Sequence, residues 1–185
     1  MNRGILFAAV LALIASTSVS CRRATDPRHI ATVDSLITAM DAARLTLNEL
    51  DTQRYATADS ILQLRRALFL QRFNDTLDKP EAALLGDQFV QLREATRRAT
   101  DHRNVMQAVT TGSDRLKRLK QDLSSSALRD EEIAKALLNE TKAVEAIEHS
   151  AMQVITNHQA NQRALDQQLH VDSLLADTLP KRRIR

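Results

Sequence analysis

Five histidines, at positions 29, 102, 149, 158 and 170, are the side chains best suited to bind a metal or move a proton near neutral pH. None stands three or four residues from another, so no single helix turns two imidazoles toward one ion. His149 and His158 lie about two and a half turns apart. His158 falls on a projected apolar stripe between Ile155 and Leu165, with Asn161 and Gln162 beside it. A buried polar cluster of this kind must be hydrogen-bonded or hydrated, because an unpaired polar group costs about 1–3 kcal/mol. Such a cluster either sets helix register or forms a binding spot. No Gly-rich phosphate loop, nucleophile elbow or His-Glu-x-x-His signature occurs. Acidic residues are interleaved with basic ones, as at Glu140, Lys142, Glu145 and Glu148, which is the mark of a solvated helical surface. The expectation is a non-enzyme with no catalytic residue, cofactor or metal.

Basic residues cluster at Arg97-Arg98 with Arg103, from Arg115 to Lys120, and in the tail Lys181, Arg182, Arg183 and Arg185. The net charge of +3 is too small to argue for nucleic acid. Between Arg115 and Lys120 the leucines at 116 and 119 point to a core, which leaves the charges on an outer face. The tail is the better candidate for contact with anionic lipid or cell wall, at about 1 kcal/mol per basic residue.

The elements that carry these residues are helices. The sequence has three Gly, three Pro, one Tyr and no Trp, and is rich in helix formers. The first segment starts at Pro27 behind Asp26, and carries Ile30, Val33, Ile37, Met40, Leu47 and Leu50. Its stripe thins from Asp51 to Ala58 and resumes at Ile61, Leu64 and Leu68. Asp75 to Glu81 reads as a turn, with Pro80 disfavouring helix at Lys79. A second segment from Leu85 to Leu123 contains Gly112, which marks either a close helix contact or a bend. Ser124-Ser125-Ser126 separates it from a third, which runs from about Asp130 to Leu179, before Pro180. Three segments of similar length predict an all-α, elongated antiparallel three-helix bundle over residues 27–179, each helix roughly 65–75 Å long. A break near residue 51 would give a four-helix bundle instead. Leu62, Phe69 and Leu70, and Leu174-Leu175, exceed one stripe and leave a monomer or a homodimer open.

Residues 1–20 combine Arg3 with an apolar run from Ile5 to Ala15. That run is shorter than the roughly 20 residues a spanning helix needs, and reads as a signal peptide. It is followed by Ser18-Val19-Ser20-Cys21, with Cys21 the only cysteine. This stretch resembles the lipobox of bacterial lipoproteins, which implies lipidation of Cys21 after cleavage and a tether over residues 21–26. Arg22 follows the cysteine where Asp would mark inner-membrane retention, so the resemblance points to the periplasmic face of a Gram-negative outer membrane. The stretch Arg115 to Leu123, then Glu131-Glu132 and an alanine-rich helix, is similar to uncharacterised helical lipoproteins of Bacteroidetes. Asp followed by Ser or Thr and an apolar residue resembles the O-glycosylation motif of exported proteins from that group. It marks Ser35, Ser60, Thr76, Ser173 and Thr178.

These readings combine into a lipid-anchored envelope protein that acts as a helical scaffold or interaction module for an envelope partner. A periplasmic chaperone or stress-sensor subunit, holding clients on a helical face, is the alternative.

Overall fold

The computed structural model describes residues 26–74 and 77–176. Its fold is all-α, in six helices: α1 (Pro27–Asn48), α2 (Gln53–Arg72), α3 (Lys79–Arg93), α4 (Ala95–Ser124), α5 (Asp130–Asp166) and α6 (Gln168–Ala176). This corrects the expected three-helix bundle and its four-helix alternative, because each of the three anticipated helices is interrupted once. The widest interruption is at 49–52, where the Leu50 amide bonds the Leu47 carbonyl and Asp51 Oδ1 accepts from the Gln53 amide. The other two are one residue wide, at Glu94 and Gln167.

Local chemistry explains the ends. Asp26 accepts from the Arg28 amide with Pro27 in the first turn of α1. Asp78 does the same for Glu81, so α3 starts at Lys79 with Pro80 in its first turn and takes in the last three residues of the stretch that the sequence marks as a turn. At the end of α4, the Ser126 amide bonds the Leu123 carbonyl and the Ala127 amide bonds the Asp122 carbonyl. This is a Schellman closure whose left-handed position, φ 52°, is filled by serine instead of glycine. Ser126→Gly is expected to stabilise the fold by about 0.5–1 kcal/mol in urea unfolding, because glycine adopts that conformation without a Cβ penalty.

At the start of α5, Glu132 accepts from the Arg129 amide at 2.9 Å and from its guanidinium at 2.7 Å. These bonds hold the Glu132 carboxyl down at about 2. A carboxyl depressed in the fold adds stability above its ordinary range and loses it as pH falls toward 2. Glu132→Gln is therefore expected to lower stability at neutral pH and to flatten the acid limb of the stability profile between pH 4.5 and 2, read by circular dichroism.

α1 packs against α4 and α5, which also pack on each other; α2 packs chiefly on α3 and α4, and α6 lies against α3 and α2. One apolar cluster, with Val33, Met40, Leu116, Leu123, Ile133 and Val144, joins α1, α4 and α5. Leu47, Val105, Val109, Ala151 and Val154 continue it along the same helices. A separate cluster of Leu62, Phe69, Leu85, Leu92, Val171 and Leu175 holds α2, α3 and α6 together. Across the first interruption the buried face changes phase. The core positions of α2 are Tyr55, Ala58, Leu62 and Phe69, whereas the expected Leu64 and Leu68 are exposed.

Gly112 is a close contact and not a bend, since α4 runs through it. A Cβ there would stand 3.2 Å from Ile147 Cδ1 and 3.5 Å from Met40 Sδ, whereas one at Gly86 would meet nothing within 4 Å. Gly86→Ala is expected to stabilise by about 1 kcal/mol through helix propensity alone. Gly112→Val, which crowds α1 and α5, is expected to cost about 1–3 kcal/mol. Denaturant midpoints of the two variants read both effects.

Candidate polar core and cavity at the first helix joint

Two carbonyls at the 49–52 interruption and the start of α2 are bonded by side chains from α5. His158 on α5 meets the Asp51 carbonyl at 3.1 Å through Nε2, and Asn161 Nδ2 donates to the Arg54 carbonyl at 3.2 Å. A carbonyl only accepts, so His158 carries its proton on Nε2. The Asp51 carbonyl also accepts from the Arg54 amide, so the imidazole adds a second bond to it. The cluster anticipated around His158 and Asn161 therefore fixes the joint between α1 and α2.

Tyr55 stands between the two imidazoles, edge-on to His158 at 5.6 Å and to His102 at 6.2 Å between centroids. It is 2% exposed and its hydroxyl has no protein partner. Burial raises the Tyr55 hydroxyl above its ordinary range, against the opposing pull of Arg98. Burial likewise lowers His102, against the Leu47 backbone, and His158 adds in the same direction. The His102 ring is thus held neutral at pH 7, and its Nδ1 has no protein partner.

Arg98, one turn before His102, is 7% exposed. Its Nη2 donates to Gln91 Oε1 at 2.7 Å, while Nε and Nη1 are buried without a partner. No carboxylate among the described residues pairs with it. Burial pulls its guanidinium below the usual arginine range, with Glu94 opposing. An open cavity of about 570 Å³ lies at this joint, walled by Leu47, Leu50 and Met106, with Tyr55, His102 and Arg103 supplying polar groups.

A second polar chain spans the interruption at Gln167. Gln88 Nε2 donates to the Ala164 carbonyl at 2.9 Å and to Gln168 Oε1 at 3.1 Å. Gln168 in turn donates to Asp172, which accepts from Arg65 at 2.6 Å.

Sequence reading reached His158 and Asn161 but missed their partners. Tyr55 sat in the stretch where the stripe thins, and Arg98 was counted with a surface basic cluster. The signal was present: Ala95, Arg98, His102, Val105 and Val109 follow one another at spacings of three and four. The remaining basic residues are largely engaged on the surface. Arg97 pairs with Glu94 and Asp101, Arg115 with Glu140, and Lys120 with Asp34. Such exposed pairs contribute about 0–1 kcal/mol each.

Of the possible glycosylation positions, Ser35, Ser60 and Ser173 are exposed on α1, α2 and α6. The aspartate before each one contacts another helix: Asp34 meets Lys120, Asp59 accepts from Thr96, and Asp172 meets Arg65. Those contacts give the aspartates a packing role. Residues 1–25, Cys21 included, together with Thr76, Thr178 and the tail Lys181, Arg182, Arg183 and Arg185, lie outside the described residues. Among the described residues, no group of three His, Cys, Asp or Glu could hold a metal ion, and no helix is long and apolar enough to cross a membrane.

No protein-family model matches the chain, and no curated protein or solved structure matches it.

Proposed function

We propose that this chain is a non-catalytic envelope lipoprotein, anchored through Cys21 on the periplasmic side of the outer membrane, whose helical domain binds an envelope protein. The anchor rests on the lipobox-like Ser18-Val19-Ser20-Cys21. One structural observation supports the binding role. Exposed large apolar side chains gather on the half of the domain built from α2, α3 and α6. Leu64 is 80% and Leu169 is 85% exposed, and Leu68, Leu70, Phe73 and Val90 accompany them. Leu64 and Leu68 are one turn apart and form a ridge on α2. Scattered exposed leucines are ordinary, and it is the Leu64–Leu68 ridge, two large apolar side chains in register, that supports an interaction face.

The test places a photo-crosslinking amino acid at Leu64 or Leu68 of the full chain in cells, with Leu138 on α5 as the control position. Capture of one dominant envelope protein at 64 and 68, and not at 138, is the expected result. A heterogeneous set of unfolded clients would replace the scaffold reading with the chaperone one, and equal capture at all three positions would discard the face. The anchor is tested separately: radiolabelled palmitate incorporation and outer-membrane fractionation should both be lost in Cys21→Ser.

A further inference from the structure

Two buried imidazoles flank Tyr55 at the α1–α2 joint, and neither is paired with a carboxylate among the described residues. His102 is 4% and His158 6% exposed. His102 Nδ1 is buried without a partner, whereas Nε2 of His158 is committed to the Asp51 carbonyl. An imidazolium donates from both nitrogens, so a protonated His102 would hold an N–H at Nδ1 that no acceptor meets. The groups around it offer no counter-charge. On α4, Arg98 stands one turn before it and Arg103 directly after, while Asp101 is bonded by Arg97 at 3.0 Å. Tyr55 faces it from α2 and His158 from α5. Asp51 at the joint pairs with Arg54 at 3.4 Å, and Arg54 also with Asp166 at 3.9 Å. Leu47, Asn48, Leu50 and Thr52, from α1 and the joint, carry no charge. An unpaired cation in such a place is costly unless water reaches it. The packing allows that, because one apolar cluster stops at Leu47 and Val105 and another begins at Ala58 and Ala95, with Tyr55 and both imidazoles outside them.

We infer that this joint is an acid-sensitive latch: when His102 takes up a proton, Tyr55 and the 49–52 turn lift from α4 and α5 while the apolar clusters on either side stay packed. The bond from His158 to the Asp51 carbonyl is the tie that holds the turn to α5 when the latch is closed. The direction follows from linkage. Burial makes the closed joint bind the His102 proton less readily than the open one. The closed state is therefore favoured above the ordinary imidazole value of 6.5 and loses ground as pH falls below it. One proton taken up on opening raises the opening equilibrium by up to about tenfold per pH unit.

Tyr55 is the only tyrosine and the chain has no tryptophan, so its intrinsic emission reads the joint without a label. In the detergent-solubilised full chain, acrylamide quenching of that emission is expected to rise severalfold from pH 7.5 to about pH 5, with helical ellipticity unchanged. Hydrogen exchange, corrected for its intrinsic pH dependence, should show the amides of 50–56 losing up to about tenfold protection per pH unit while those of 116–123 keep theirs. His102→Gln and His102→Leu, which cannot take the proton, should both keep Tyr55 shielded at either pH. His149→Gln, altered at an exposed histidine, should respond as the parent does. A Tyr55 equally shielded at both pH values in the parent, an undiminished acid response in the two His102 variants, or loss of helical signal together with the quenching would each overturn the latch. Tyr55 open at pH 7.5 in both His102 variants would overturn it as well, since the ring would then act through packing alone.

Discussion

Phe69→Ala is expected to destabilise the protein by about 3–5 kcal/mol, the usual cost of truncating a fully buried aromatic ring. Phe69 is 0% exposed and lies edge-on to Phe89 at 5.6 Å, with Phe73 tilted against it at 6.2 Å. It joins Leu62, Leu85, Leu92, Val171 and Leu175 in the cluster that holds α2, α3 and α6 together. No second cluster reaches those helices, whereas α1, α4 and α5 share two. The damage should therefore be uneven. Hydrogen exchange should show amides of α2, α3 and α6 losing protection well before those of α1, because local opening follows local apolar contact. Phe73, 39% exposed at the C-cap of α2, supplies the comparison. Its replacement by Ala should cost under about 1.5 kcal/mol. Equal losses for the two variants in guanidinium unfolding would contradict the packing described for this half.

The same half shows how far the sequence could be read. Helical content and the start at Asp26-Pro27 follow from local chemistry, and the structure contains both, whereas at Gly112 the sequence leaves a close contact and a bend equally open and the structure shows the contact. The phase of α2 does not follow. Periodicity carries a stripe forward only while the helix is unbroken, and the turn at 49–52 rotates the buried face from the 61-64-68 set to the 55-58-62-69 set. Leu62 and Phe69, which looked like surplus apolar residues, are core, and Leu64 is surface. The joints themselves were half visible. The stripe thins from Asp51, but the bonds that His158 and Asn161 make to the Asp51 and Arg54 carbonyls come from a helix distant in sequence. Glu94 and Gln167 keep helical backbone angles and carry no Gly or Pro, so nothing local marks them. Polar residues on a buried stripe were the recurrent blind spot, since Arg98 and His102 look like the end of a stripe unless it is traced back from Val109.

Arg98→Met is expected to make the protein more stable. A guanidinium that is 7% exposed, without a carboxylate partner among the described residues and with two of its nitrogens unbonded, is a net cost to the folded state. Arg98→Met keeps most of the side chain's length and apolar bulk while removing the charge. It forfeits one bond to Gln91 Oε1, but Gln91 is only partly buried and water can replace the lost donor. The variant is therefore expected to be more stable than the parent by about 1–3 kcal/mol in urea unfolding at pH 7. The gain should persist in 1 M salt, where surface pairs are screened and a buried charge is much less so. A destabilised variant would mean that the guanidinium is better satisfied than its contact with Gln91 indicates.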